Sequence, residues 1–396
     1  HVDQFLSILE NAVEIQLRSD VPVGVSVSGG LDSSLLTALV NRASGGQRNF
    51  ELFHFAYAGR AYESETPYVR LLAKRLGWNA PHTVTLAAPD IPRLAPRVMW
   101  HEEQPFPGVP TFAWHSLYES LGGTGIVVTL EGHGGDELFA GYDYYAGTFL
   151  LDVIRERGAE DAENELKELA RVRGLAPGAA PSFFFNGLEA FFRGGVSADA
   201  TRFANTACLN PAFLKRYGAT PRFERPFDSF LANFQYQELM HTKLPRVLRS
   251  VDRESMAFGR ELRVPLLDHR LAEFAFSLPL SARIRNGHQR FLMREAARTL
   301  LPPRVSATPK RSLPNPQRAW FQRELRPWIR ALLGSKTFGD RGYVTQKKAL
   351  AEYDRYCRLR KPLNSFSIWQ WVSIELWFRM FIDRTGGAAP EGLQIR

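Results

Sequence analysis

Two stretches of the sequence carry residue types able to do chemistry. The first is Val23-Gly24-Val25-Ser26-Val27-Ser28-Gly29-Gly30-Leu31-Asp32-Ser33-Ser34. Apolar residues alternate with small ones through Val27, as in a buried strand, and residues 35–40 continue with helical spacing. A strand that turns tightly into a helix presents backbone N–H groups and hydroxyls to an anion at the helix N-terminus. Gly29 and Gly30 let the backbone approach a phosphate with no Cβ in the way. Asp32 among those donors makes sense if Mg²⁺ lies between carboxylate and phosphate. The second stretch is a strand at 125–130 that runs into Glu131-Gly132-His133-Gly134-Gly135-Asp136-Glu137-Leu138-Phe139-Ala140-Gly141-Tyr142. Two such strand ends in one parallel sheet can face each other, so that Asp32 and Asp136 supply two oxygen ligands to one Mg²⁺. Taken singly, each stretch also reads as an ordinary βα turn, capped by serines or by Asp136. Together they point to a phosphate site.

The elements around them must hold the two turns side by side. Residues 1–20 place Phe5, Ile8, Leu9, Ala12, Val13 and Leu17 at three- and four-residue spacing, which predicts an amphipathic helix. Strands are expected at 50–58 and 82–86, with an acidic turn, Glu63-Ser64-Glu65, and a helix over 67–76 between them. This alternation predicts an α/β fold with a parallel, doubly wound sheet, whose ligands bind beyond the carboxyl ends of the strands. His101-Glu102-Glu103-Gln104-Pro105-Phe106 has the wrong spacing for zinc and reads as an exposed loop. Residues 162–172 form a charged helix, Gly and Pro between 174 and 187 suggest loops, and the Phe183–Phe185 and Phe191–Phe192 clusters read as core. Across 244–268, Met256, Phe258 and Leu262 punctuate what reads as one acid- and arginine-rich helix. From Trp320 onward the pattern is helical, and the aromatic-rich residues 364–379 read as core rather than a base-stacking platform.

Composition narrows the class. A chain of 396 residues with 44% hydrophobic content can bury one large or two smaller cores. Its two cysteines, Cys208 and Cys357, form neither a metal pattern nor a disulfide framework, so a cytoplasmic location is expected. No apolar run reaches membrane length and no signal peptide is recognisable, so no membrane partner is expected. The net charge of +9 and pI of about 9.6 permit nucleic-acid binding. The arginines are spread along the chain, though, and fit a basic surface with a pocket for a polyanion; no nucleic-acid partner is expected. A start at His1, without methionine, is what a piece of a longer protein would show.

Ser28-Gly29-Gly30-Leu31-Asp32-Ser33-Ser34 resembles the pyrophosphate loop of the ATP pyrophosphatases. The preceding Arg18-Ser19-Asp20-Val21-Pro22-Val23-Gly24 narrows the resemblance to the asparagine synthetase family. Residues 131–142 resemble that family's Gly-Glu-Gly-x-Asp-Glu-Leu-Phe-x-Gly-Tyr motif. Residues 252–268 resemble its Asp-Arg-x-Ser-Met-Ala and Glu-x-Arg-x-Pro-x-x-Asp segment, and residues 290–294 its Lys-x-x-Leu-Arg pattern. The resemblance implies an adenine-nucleotide α-hydrolase sheet with a helical C-terminal part. The implied division is an ATP-pyrophosphatase core at 1–145, a helical insertion at 146–240, a helical completion at 241–385 and a flexible tail at 386–396. The insertion is expected to cover the site, to bind the acyl substrate or to serve as scaffold.

By the same resemblance, ATP and Mg²⁺ are the cofactors. Val27, Ser28, Gly29, Gly30, Leu31, Asp32, Ser33 and Ser34 bind nucleotide, with Tyr57 near the adenine and Glu131 and Gly132 at the facing turn; Asp32 and Asp136 hold the metal. The helix at 244–268 is implied to line the cleft under the loop. The family's catalytic glutamate falls on His133 and its catalytic lysine on Arg290, and Lys310 is a second cation for the pyrophosphate. A neutral imidazole can take a proton near pH 7, and Arg290 keeps the charge with a planar fork. The implied reaction activates a carboxylate, aspartate in the family, as an acyl-adenylate with release of PPi, and then transfers it to ammonia. A glutaminase domain is expected upstream or on another chain, and a homodimer is the candidate assembly. A β-lactam synthetase-like or lasso-peptide cyclase-like ligase is the alternative that His133 and Arg290 keep open. A tRNA-modifying pyrophosphatase, a nucleic-acid-binding module and an inactive scaffold stand further off.

Overall fold

The computed structural model describes residues 1–46, 50–59, 65–193, 204–218, 222–306, 315–360 and 364–384. Lys310, most of the acidic turn before the third helix and the segment from 386 lie outside them. A five-stranded sheet organises the fold: β1 (Val23–Ser26), β2 (Glu51–Tyr57), β3 (His82–Leu86), β4 (Val128–Leu130) and β5 (Glu261–Arg263). The order is β3-β2-β1-β4-β5 and every pair is parallel. The chain therefore builds outward from β1 to β3, then crosses back to β4 on the other side of β1. That reversal opens a crevice between β1 and β4 at their carboxyl ends, where doubly wound sheets bind ligands. Val25 is in register with Leu130, so the two turns leave the sheet at the same level. All three residues of β4 are buried, as in a sheet covered on both faces.

One face carries α1 (Val2–Gln16) and α2 (Leu31–Ala43). The α1 stripe of Phe5, Leu9, Ala12 and Val13 is fully buried, and Phe5 meets Phe139 edge-on at 5.2 Å, which supports the second turn from below. The helix α3 (Thr66–Leu76) follows β2. On the opposite face lie α4 (Asp90–Glu102) and α5 (Val109–Ser120), where Phe53, Leu117, Tyr118, Leu121 and Ile126 form a core with Val251. After β4 come the short α6 (Gly135–Leu138), then α7 (Tyr145–Arg157), α8 (Ala159–Arg173), α9 (Ala180–Arg193), α10 (Pro211–Tyr217) and α11 (Phe230–Gln237). A helix α12 (Leu244–Met256) leads to β5. The closing helices include Gln317–Gln322, Arg326–Leu333, Gln346–Cys357 and Phe366–Trp377, with Trp369, Trp371 and Val372 in the core. Among the described residues, no helix is long and apolar enough to cross a membrane.

The structure corrects four sequence expectations. Residues 244–268 are not one helix: α12 ends at Met256, Gly259 turns the chain at φ +62°, and β5 pairs with β4. The expected loops at 174–187 are largely helix, a 3₁₀ turn at Pro177–Ala179 followed by α9. Gly187 sits in α9 because a Cβ there would lie 2.2 Å from the carbonyl oxygen of Tyr144; it lets α9 close on the start of α7. Phe184 and Phe191 are buried as expected, whereas Phe183 and Phe192 remain exposed. His101 and Glu102 are not loop residues. They end α4, and Glu102 is fully buried, paired with Arg249 at 3.0 Å and accepting from the Ser250 hydroxyl. Burial of that carboxylate follows from the partners α12 supplies.

Candidate active site

The first turn is built from small residues under tight constraint. Gly29 adopts φ +74°, and a Cβ there would approach the carbonyl oxygen of Glu65 to 3.0 Å. The α2 helix starts at Leu31, directly after Gly30, so Asp32 and Ser33 occupy its first turn. The Ser33 hydroxyl accepts from the Ser28 N–H at 3.1 Å and contacts the Ser28 hydroxyl at the same distance, which closes the loop. His54 in β2 bonds the Val27 carbonyl through Nδ1 at 2.9 Å, while its Nε2 meets Thr66 Oγ1 at 3.1 Å. Burial holds the His54 imidazole below its ordinary pKa, against the opposing effect of the Val27 carbonyl. A neutral ring thus props the loop from behind.

The second turn packs flush against the first. A Cβ on Gly132 would lie 2.8 Å from the Ser33 backbone nitrogen, and one on Gly135 2.9 Å from Asp32 Cγ. Glycine at both positions is what lets the strand ends touch. Asp32 and Asp136 then converge on one cation, Arg290. Its Nη1 lies 2.8 and 3.0 Å from the two Asp32 oxygens and 2.9 Å from Asp136 Oδ1. Arg290 sits at φ +53° just before the helix Phe291–Ala297, with its side chain 4% exposed. Burial works against its charge, but Asp32 and then Asp136 outweigh it and hold the guanidinium firmly protonated.

Beside this trio stands a second ionisable group of residues. His133 Nε2 donates to Glu131 Oε2 at 2.9 Å, and Glu131 Oε1 accepts from the Tyr118 hydroxyl at 2.6 Å. Burial alone would raise the Glu131 carboxyl, yet His133 and Tyr118 bring it below its usual range. Burial alone would lower the His133 imidazole, yet the Glu131 carboxylate raises it above its ordinary value, with a smaller push from Glu137. The Trp114 ring stands edge-on to His133 at 6.1 Å.

A cleft of about 270 Å³ joins these groups. Val27, Ser28, Gly29, Gly30, Leu31, Asp32, Ser33, Tyr57, Glu131, Gly132, His133, Asp136 and Arg290 all line it. Ser34 does not: one residue further along α2 it is fully buried. No residue of α12 lines the cleft; that helix lies behind α5, which itself supplies Pro110 and Trp114 to the wall. His54, Glu65 and Trp114 are lining residues the motifs did not single out, and Tyr142, the last residue of the second motif, joins them. The polar His54 inside the apolar run of β2 and the 110/114/118 spacing on α5 were the signals available. Asp32 and Asp136 are hard oxygen donors that already share one cation, so the pair fits a divalent ion of the Mg²⁺ type. Among the described residues, no group of three or more His, Cys, Asp or Glu is placed to hold a metal.

Residues 4–379 match the asparagine synthase family. The chain is 25% identical to asparagine synthetase [glutamine-hydrolyzing] 1 of Bacillus subtilis over 392 residues, 97% of this chain and 60% of that protein. It is 25% identical to a putative asparagine synthetase [glutamine-hydrolyzing] of Mycobacterium tuberculosis over 97% of this chain and 58% of that protein. It is also 25% identical to amidase chyE of Penicillium rubens, over 85% of this chain and 55% of that one. The chain thus spans about three fifths of the length of these relatives.

Proposed function

The chain belongs to the asparagine synthase family, and from that membership we propose that it is an ATP-dependent, amide-forming ligase. Convergence of Asp32, Asp136 and Arg290 at the mouth of the Gly29–Gly30 turn carries this reading. In it, the N-terminus of α2 and the Ser28 and Ser33 region receive the ATP phosphates, with the end of β2 at Tyr57 near the base. A carboxylate, aspartate by resemblance, attacks the α-phosphorus; the bond to the pyrophosphate oxygen breaks, giving acyl-adenylate and PPi. Asp32 and Asp136 would hold Mg²⁺, whose chemistry is to offset charge on the phosphates. Arg290, and by resemblance Lys310, bring positive charge to the same phosphates. Ammonia then attacks the acyl carbon, AMP leaves, and His133 takes the released proton. A glutaminase domain, in the same or another chain, is the proposed nitrogen source.

The test is direct. The protein is incubated with ATP, Mg²⁺, aspartate and ammonium, and AMP, PPi and asparagine are followed. Asparagine equal to AMP, lost in Asp32→Ala, supports the full reading. AMP and PPi without asparagine support activation with a different acid or acceptor. ATP binding without turnover under any carboxylate tried contradicts it. Replacement of the family's glutamate and lysine by His133 and Arg290, with the similarity to an amidase, favours a second reading, a ligase of the same chemistry on another amine or acid.

A further inference from the structure

We propose that Glu131 and Tyr118 are positioning residues for the amide-forming step, joined to His133 in a three-residue hydrogen-bonded relay that fixes the tautomer and orientation of the ring taking the proton of the attacking amine. This rests on the ligase reading above and deepens it.

The relay is assembled from rigid parts. Glu131 follows the last residue of β4, and its N–H still donates to the Arg263 carbonyl of β5 at 2.9 Å, so the sheet fixes its backbone. Its side chain is 6% exposed and engages both neighbours at once, Tyr118 at 2.6 Å and His133 at 2.9 Å. Tyr118 is fully buried on α5, one turn after Trp114 and two after Pro110, so a single helix face supplies the relay's last member and the wall beside its first. His133 retains 21% exposure of its side chain and lines the cleft. Its Nε2 is committed to Glu131; among the described residues Nδ1 makes no hydrogen bond and is the atom left for a ligand. Gly134, at φ +97° and with Leu267 where a Cβ would go, sets the chain direction that turns the ring back over Glu131.

The chemistry follows. An amine nitrogen, that of ammonia or of a primary amine, bonds to the acyl carbon of the adenylate while the carbonyl π pair moves to oxygen. The nitrogen, now positive, gives one proton to His133 Nδ1. The oxygen pair returns, the acyl–phosphate C–O bond breaks, and AMP leaves with that bond's electrons. Imidazolium formed on His133 is stabilised by the Glu131 carboxylate, which the Tyr118 hydroxyl keeps in place, and later releases its proton to water. The ionisable groups facing the ring are Glu131 from the end of β4 and Glu137 from α6; Tyr118 from α5 faces Glu131.

The experiment compares wild type with Glu131→Gln, Tyr118→Phe and His133→Ala. PPi exchange into ATP reads the activation half, amide formation reads the second half, and ¹⁵N-histidine NMR reads the His133 tautomer and titration. Expected are an Nε2–H ring in the wild type, and a His133 titration displaced to lower pH in Glu131→Gln. The acid limb of kcat for amide formation should move the same way. Loss of kcat for amide formation should be roughly tenfold or more in Glu131→Gln and roughly a hundredfold in His133→Ala, in each case well beyond the loss of exchange in the same variant. Tyr118→Phe should lie between wild type and Glu131→Gln. An unmoved His133 titration in Glu131→Gln, or equal loss of exchange and amide formation, would overturn the relay while leaving the ligase reading intact. Wild type inactive in exchange would overturn the ligase reading and the proton-transfer role with it.

Discussion

A single nitrogen of Arg290, Nη1, makes both hydrogen bonds to Asp32, although 258 residues separate the two in sequence. The same atom reaches Asp136 at 2.9 Å. The guanidinium fork is therefore used here as a point charge, a role an ammonium can also fill. Arg290→Lys should cost about 1 kcal/mol or less of stability, whereas Arg290→Met leaves two buried carboxylates facing each other and should cost about 3–5 kcal/mol. Urea unfolding of the two variants measures the difference. Equal losses would contradict the point-charge picture. Added Mg²⁺ should recover part of the Arg290→Met loss if the carboxylates can hold the ion themselves.

Gly141 is the next constraint on this trio. A Cβ there would lie 1.9 Å from Asp136 Oδ1 and 2.9 Å from Arg290 Cδ. Gly141→Ala should therefore reduce ATP-dependent turnover by roughly tenfold or more, through a misplaced carboxylate, since displacements of about 1 Å carry penalties of that size. Steady-state AMP formation with circular dichroism as the folding control is the measurement; unchanged turnover would show that Asp136 can move without consequence.

A fully buried acid and base lie behind the cleft wall. His115 Nδ1 and Glu254 Oε2 are 2.5 Å apart with neither side chain exposed. Burial, reinforced by Glu102 nearby and only partly opposed by Arg97, pushes the Glu254 carboxyl up to about 10; burial, aided by Arg97 and His101, pushes His115 down to about 3. The pair is thus neutral, the acid donating to the imidazole. The unfolded chain releases the Glu254 proton above its ordinary 4.5, while the folded one holds it to about 10. Stability from this group is then fullest below 4.5 and is lost as pH rises towards 10. Glu254→Gln keeps a donor and cannot ionise, so its stability should decline less than that of the wild type across this window. Parallel stability–pH curves would instead mean that folding does not retain the Glu254 proton across this window.

Asp152 of α7 is fully buried and accepts from the N–H groups of Phe230 and Leu231 at 2.9 and 2.8 Å and from the Ser229 hydroxyl at 2.7 Å. It is the cap that α11 receives from outside itself. Asp152→Ala strands these donors and should cost about 3 kcal/mol. Hydrogen exchange should show the loss first at the start of α11; uniform weakening of the whole fold would argue against a local cap.

The residues that were legible in sequence are those whose role is local. Asp32 and Asp136 stand at strand ends whose glycines and hydroxyls declare a close backbone approach. The first helix was readable from the Phe5, Leu9 and Val13 stripe alone. What stayed hidden depends on partners distant in the chain. Glu261-Leu262-Arg263 is too short and too charged to read as a strand until β4 supplies its hydrogen bonds. Glu102 looked solvated because nothing near it in sequence foretells Arg249 and Ser250. Gly187 looked like a helix breaker because the approach of Tyr144 that requires it is a tertiary fact. The four-residue spacing of Trp114 and Tyr118 names no role by itself; only the fold shows that this helix face meets Glu131 and His133.

Placing β5 after the helices α7 to α11 has a consequence for how the protein comes into being. During synthesis the first four strands emerge long before the fifth, so β4 waits with an open edge while the helices behind it are made. Pairings between such distant segments form slowly, and an unpaired edge meanwhile invites other chains. The two aspartates are brought together by the early strands, but their arginine leaves the ribosome later than β5. A nascent chain halted after the second turn but before residue 290 therefore carries Asp32 and Asp136 without the guanidinium that joins them in the finished fold.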